Sequence, residues 1–296
     1  MAPSAEKKLT GLVAATFTPF TPQGEVNLAE IGPYIDYLTE KQGVHSIFVN
    51  GTTGESMSLT VAERKILAED WCQKARGKLD QVIVHVGCLS LKDAKELAGH
   101  AAQIGADAIA VMAPFFFKPR TADALRSFLQ EVASAAPNLP FYYYHIPAVT
   151  GVNVPVKDVL EGIEELIPSF RGVKFSGSDL MDFGQCVSDS PPHWSFLYGM
   201  DEVGPGSIFP LIDSCLSGKK SYDSDLHSLS FHSNCLQLWR WGPMERSGGF
   251  DVGVNKQLMI ELSGLSLGPP RLPVTPCPFS HALLIVKKYH HVFTDC

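Results

Sequence analysis

Short apolar runs of four to six residues recur along this chain, separated by longer stretches in which apolar and polar positions follow a helical period. Leu12 to Thr16, Ser46 to Val49, Val82 to Val86, Ala108 to Met112, Phe141 to His145, Gly172 to Phe175 and Ser195 to Tyr198 read as seven strands. Helices are predicted between them. Asn27 caps one from Leu28 to about Gln42 that Gly43 ends, and Thr60 with Glu63 forms a capping box for another reaching about Lys78. Ser90 opens a helix to Ile104, Thr121 caps one that ends before Pro137, and a further helix runs from Val156 to about Glu165. Strands at intervals of roughly 25 to 35 residues with helices between them predict serial right-handed βαβ units. No Gly-x-Gly-x-x-Gly follows the first strand, so the expected fold is α/β, a (β/α)₈ TIM barrel, rather than a doubly wound sheet. Seven strands are accounted for by Gly199, and an eighth is owed.

Composition narrows the partners. At 296 residues and 45% apolar content the chain can fill one large core, while a net charge of -7 without any basic run argues against nucleic acid or an anionic membrane. Seven cysteines stand at Cys72, Cys88, Cys186, Cys215, Cys235, Cys277 and Cys296 with no C-x-x-C pair, which favours free thiols in a reducing compartment. Residues 1–10 carry Glu6, Lys7 and Lys8 rather than a long apolar run, and no window approaches the roughly 20 apolar residues of a membrane span. A cytoplasmic location is therefore expected. His227 with His232, and His290 with His291, lack partners at zinc spacing, so no metal is expected.

In such a barrel the chemistry sits where strands end. Lys174 occupies the middle of the apolar strand Gly172-Val173-Lys174-Phe175, and alternation aims it away from Val173 and Phe175, into the barrel interior or its mouth. Burial disfavours an ammonium and exposes the amine that forms an imine with a ketone. Strand two runs into Gly51-Thr52-Thr53-Gly54, whose amides and hydroxyls suit a carboxylate. Strand five supplies Tyr142, Tyr143 and Tyr144, one of which could relay a proton; spacing alone does not separate them. Strand six adds Ser176, and strand seven ends in Gly199-Met200-Asp201-Glu202, two acids suited to a polyol.

Gly51-Thr52-Thr53-Gly54-Glu55, Tyr144-His145-Ile146-Pro147-Ala148-Val149-Thr150-Gly151, Gly172-Val173-Lys174-Phe175-Ser176 and Gly199-Met200-Asp201-Glu202 together closely resemble the sialic acid aldolases, or N-acetylneuraminate lyases, of the dihydrodipicolinate synthase superfamily, in their vertebrate form. That resemblance implies a class I aldolase cleaving N-acetylneuraminate to pyruvate and N-acetylmannosamine, with no cofactor, in a homotetramer. It implies Lys174 as the Schiff-base lysine and Tyr144 as the proton donor and acceptor. Thr52 and Thr53 would hold the substrate carboxylate, and Ser176, Gly199, Asp201 and Glu202 would bind the sugar chain. Dihydrodipicolinate synthases usually carry an arginine two residues after the proline of the Tyr-x-x-Pro motif, for a second carboxylate. Val149 stands there instead, which favours an aldehyde partner without a second acid.

The resemblance divides the chain: 8–202 is a recognisable barrel portion, 203–250 is divergent, 251–274 is family-like again, and 275–296 is a divergent tail. Residues 203–250 lack the family's eighth-strand Gly-Ser-Thr-Tyr-Asn motif and any run of β-branched or aromatic residues bounded by turns, so the eighth strand and the C-terminal helices are expected to be disrupted and the barrel not to close. A replaced middle between recognisable flanks looks like an altered reading frame, alternative splicing or a faulty gene model. The alternative expectations are a catalytically impaired variant that binds pyruvate or full-length subunits, and another pyruvate-dependent aldolase of the superfamily.

Overall fold

The computed structural model describes residues 9–200 and 251–288. Seven parallel strands follow one another in spatial order: β1 (Val13–Ala15), β2 (Ser46–Val49), β3 (Gln81–His85), β4 (Ala108–Met112), β5 (Phe141–His145), β6 (Phe170–Phe175) and β7 (Ser195–Tyr198). Helices α1 (Ile31–Asp36), α2 (Val61–Ala75), α3 (Leu91–Ile104), α4 (Ala122–Ala133), α5 (Pro147–Thr150), α6 (Val156–Leu160), α7 (Ile163–Leu166) and α8 (Leu180–Asp189) fall between them. Two more, α9 (Val252–Ser263) and α10 (Phe279–Lys288), pack against each other near the carboxyl end. The sheet curls toward closure, because the Ser195 hydroxyl at the start of β7 donates to the Leu9 carbonyl just ahead of β1, at 3.0 Å. This is the architecture of a TIM barrel, with β1 and β7 as its edges among the described residues. Residues 203–250, which were expected not to supply an eighth strand, lie outside the described residues.

Alternation along each strand divides the apolar residues into two groups. Ile47, Val84, Val111, Tyr143, Val173 and Phe175 face the helices in the larger core. Phe48, Ile83, Ala110, Met112, Tyr142 and Tyr144 face inward. Gly172 carries φ 141°, and a Cβ there would lie 1.9 Å from the Ser195 carbonyl oxygen, so only glycine lets β6 and β7 approach at this level.

The caps on three helices form as their sequences predict. Thr60 and Glu63 make the reciprocal capping box of α2, while Ser90 and Thr121 accept from Asp93 N and Ala124 N. The helix expected over residues 28–42 is instead a 3₁₀ turn at Leu28–Glu30, then α1, then a π turn at Tyr37–Lys41, and Asn27 makes no side-chain cap. Pro33 has no amide to bond back along an α-helix, so the first turn closes through Ile31 N to Leu28 O, and Gly43 at φ 61° ends the segment. The helix expected from Val156 to about Glu165 is broken by Gly162 at φ 69° into α6 and α7. The first amides of α6 are capped from a distance, Val156 N and Lys157 N donating to the Asp182 carboxylate on α8 at 2.8 and 3.0 Å. Helix α8 was not anticipated, although Asp179 caps it, and neither was α10 within the tail. Cys72, Cys88, Cys186 and Cys277 are free thiols, and no helix among the described residues is long and apolar enough to cross a membrane.

The segment 264–274 returns to the first part of the chain. The Arg271 guanidinium binds both oxygens of Glu63, at 2.5 and 3.0 Å, and lies over the Phe20 ring at 4.6 Å. That bidentate pairing brings the Glu63 carboxyl from an ordinary 4.5 to about 2. A carboxyl depressed on folding contributes stability in full above its unfolded value and loses it as pH falls toward the folded one. Glu63→Gln is therefore expected to cost about 1–2 kcal/mol of unfolding free energy at neutral pH. The deficit should shrink between pH 4.5 and about 2, measured by denaturant titration of parent and variant across that range.

Candidate active site

Strand register decides which of the predicted residues meet. Tyr144 pairs with Lys174 across β5 and β6, Met112 pairs with Tyr144, and Lys174 pairs with Leu197, so these four side chains share one interior level near the carboxyl ends of the strands. Tyr142 also points inward but lies opposite Gly172, one level deeper. Tyr143 points outward, its hydroxyl 3.3 Å from His145 Nδ1, and burial pushes its phenol well above the ordinary range. Lys174 Nζ is 3.8 Å from the centroid of the Phe48 ring and 4.4 Å from that of Tyr144, two faces that attract a cation. Those rings meet edge to face at 5.4 Å and fix one another.

The turn after β2 reaches this level from the side. Thr52 Oγ1 lies 3.2 Å from the Tyr144 hydroxyl, which links the Gly51–Gly54 turn to the phenol beside Lys174. Thr52 and Thr53 are half-buried. The turn closes on itself through Glu55 N to Thr52 O and Ser56 N to Gly51 O, at 3.0 and 3.2 Å, and the Thr18 hydroxyl holds the Gly54 carbonyl at 2.6 Å. Across the mouth, Ser176 is buried and its amide donates to the His145 carbonyl. A Cβ at Gly199 would sit 2.4 Å from Ser176 Oγ and 3.6 Å from Lys174 Cε, so the glycine leaves space beside the lysine. Val149 on α5 is 58% exposed. Lys174, Tyr144, Thr52, Ser176 and Gly199 thus come together, with Thr53 next in the same turn, while Asp201 and Glu202 lie outside the described residues.

Three polar residues absent from the sequence-based set complete the wall behind the lysine. His85, the last residue of β3, faces inward by the same alternation that orients Lys174 and meets the Tyr144 ring edge to face at 5.7 Å. Its Nδ1 is 2.8 Å from the Asn50 carbonyl, which fixes the proton on that nitrogen. Burial, then the Arg64 guanidinium and Lys174, hold His85 well below the ordinary imidazole range, so it is neutral. Arg64 is itself 2% exposed and donates to the carbonyls of His85 and Gly87 and to Cys88 Sγ. Asn50, in the left-handed region at φ 59°, donates to the Arg64 carbonyl. The signal for His85 is present in the sequence: it is a polar residue at the end of an apolar strand, on the inward parity.

An open cleft of about 1010 Å³ lies elsewhere, between the loop after β4 and residues 151–155, and Lys174, Tyr144 and Thr52 do not line it. Its rim carries Phe116 and Phe117, 72% and 85% exposed, in edge-to-face contact.

Comparison with known proteins places this geometry in a family. Residues 8–210 match the dihydrodipicolinate synthetase family. The N-acetylneuraminate lyase of Danio rerio is 54% identical over 298 residues, covering 96% of this chain and 97% of the relative. Among solved structures, the N-acetylneuraminate lyase of Proteus mirabilis superposes with a TM-score of 0.81 at 28% identity, covering 97% of this chain and 99% of that one. A catalytic lysine mutant of the sialic acid aldolase of Ruminococcus gnavus superposes with a TM-score of 0.78 at 25% identity, covering 96% and 95%. The inward lysine on β6 and the Gly-Thr-Thr-Gly turn thus sit in a chain that belongs to the dihydrodipicolinate synthetase family and groups within it with the N-acetylneuraminate lyases.

Proposed function

We propose that this chain is a class I aldolase that cleaves N-acetylneuraminate to pyruvate and N-acetylmannosamine through an imine on Lys174. The observation that carries the reading is the placement of Lys174 Nζ over the Phe48 and Tyr144 rings at the carboxyl end of the barrel, with the Tyr144 hydroxyl 3.2 Å from Thr52 Oγ1. The close lyase relatives support the substrate, and the Ruminococcus gnavus aldolase, described as having a catalytic lysine, supports lysine chemistry.

The Lys174 amine adds to the keto carbon of the open-chain sugar acid, and loss of water gives a protonated imine. Thr52 and Thr53 hold the carboxylate, which sets the keto carbon over the lysine. The Tyr144 oxygen accepts the proton of the carbon-four hydroxyl while its own proton passes to the bound substrate carboxylate; the bond between carbons three and four breaks, and its electrons pass into the imine to give an enamine. N-acetylmannosamine leaves as the aldehyde; the enamine is protonated at carbon three and hydrolysed to pyruvate. Ser176, Gly199, Asp201 and Glu202 bind the hydroxylated chain of the sugar. No cofactor takes part. A cytoplasmic homotetramer belongs to the same reading by family resemblance, and the exposed Phe116 and Phe117 are an apolar pair that contact with another subunit would cover.

Divergence of residues 203–250 from the family favours a second reading, a chain that forms the imine but turns over poorly because the eighth-strand wall is altered. The two readings separate when pyruvate release from N-acetylneuraminate is assayed alongside imine trapping: a trapped but inactive chain supports the second.

Incubation with pyruvate and borohydride is expected to add a reduced pyruvyl group to Lys174 alone. Lys174→Arg should abolish the label because the guanidinium stays protonated. Mass mapping to another lysine would sink the assignment. Tyr144→Phe, in this chain or a lyase relative, should leave trapping intact and slow cleavage by roughly a hundredfold or more. An equal loss in Tyr142→Phe would assign the proton transfer to the wrong phenol.

A further inference from the structure

Directly after the Gly51–Gly54 turn, Glu55 adopts a left-handed conformation, φ 54° and ψ 33°, and buries its carboxylate. Both of its oxygens are taken by the far end of the chain. Lys256 Nζ on α9 donates to Oε1 at 3.0 Å, and the Arg271 amide donates to Oε2 at 2.8 Å. Each partner of the ion pair is 1% exposed in its side chain. Lys256 also donates to the Pro269 carbonyl at 3.3 Å and lies 4.2 Å from the centroid of the Phe20 ring. Burial pulls the Lys256 ammonium below the ordinary lysine range, against the opposing attraction of Glu55.

A buried pair of this kind is not the cheapest way to fill a core, since apolar residues of the same volume serve stability as well or better. Nor does the turn need it, because its own closure uses only backbone amides of residues 55 and 56. What the carboxylate adds is a fixed direction. A residue with a Cβ stays in the left-handed region only where its surroundings over-determine it. Here the surroundings are two donors, on α9 and in the segment that follows it, aimed at one side chain. The peptide that continues back from Glu55 is the one that presents Thr52 and Thr53.

We propose that Glu55 and Lys256 are positioning residues for the keto-acid carboxylate: α9 acts as the back wall of the Gly51–Gly54 cradle and sets affinity for the keto acid rather than the rate of bond cleavage. The proposal rests on the aldolase reading above. A residue that orients the cradle contributes equally to bound substrate and transition state, so its loss raises KM and leaves kcat.

Two variants of the full chain test it. Glu55→Asp keeps both charges and shortens the reach by one methylene. The Glu55→Gln, Lys256→Met pair of substitutions removes both charges, so neither is left buried alone, and it should fold even if Lys256→Met by itself does not. For each folded variant, the pyruvate concentration giving half-maximal borohydride trapping at Lys174 is measured. KM and kcat for N-acetylneuraminate follow where the chain turns over. The expected result is an increase of about tenfold in the half-maximal concentration and in KM, equivalent to about 1.4 kcal/mol, with kcat within about threefold of the parent. Half-maximal concentrations within twofold of the parent in both variants, or a fall in kcat without a change in KM, would overturn the proposal while leaving the aldolase reading intact. Failure of pyruvate to label Lys174 in the parent chain would overturn both.

Discussion

A β-strand offers a side chain only two directions, and in a curled sheet one of them leads into a space that every strand shares. The candidate site depends on this constraint more than on any single contact. Lys174 is inward because Val173 and Phe175 must face the helices, and Tyr144, Met112 and Leu197 reach the same level because register places them opposite or next to it. A one-residue slip of β6 would bury Lys174 against α8 and turn Val173 and Phe175 into the site. The close approach of Gly172 to the Ser195 carbonyl makes that slip costly, since any other residue at that contact would collide with backbone.

The same parity explains what could and could not be read in advance. Strands β2, β4, β5 and β7 have the bounds their apolar runs predict. The inward lysine follows from the same reasoning. Choosing among Tyr142, Tyr143 and Tyr144 does not, because three consecutive residues of one type carry no parity signal until a neighbouring strand fixes the level; the pairing of Tyr144 with Lys174 supplies it. Helices were less legible than strands. The segment after Asn27 carries a helical period but also Pro33, and the missing amide divides it; the segment after Val156 carries one but also Gly162. Helix α6 begins at Val156 as the pattern predicts, but the cap on its first amides comes from Asp182, 26 residues away, and could not be read locally.

Polar residues behind the lysine make a wall whose charges are settled before substrate arrives. His85 is neutral with its proton directed at the Asn50 carbonyl, and Arg64 donates to the carbonyls of His85 and Gly87 and to the Cys88 thiol rather than reaching toward Lys174. Next to them the Phe48 and Tyr144 rings supply attraction for a positive nitrogen without a carboxylate. A carboxylate in their place would pair with the lysine directly; aromatic faces keep its nitrogen in position without a salt bridge.

The pairing of Glu55 with Lys256 joins residues 201 positions apart. On a ribosome adding about 5–20 residues per second, roughly 10–40 seconds separate the appearance of the carboxylate from that of its ammonium partner. During that interval β1, β2 and the turn between β2 and α2 can assemble, but Glu55 has no counter-charge to bury it and must remain solvated. The nascent barrel is therefore expected to hold Lys174 in place before the Gly51–Gly54 turn is braced from behind. Chains arrested before Lys256 would accumulate in that half-built form.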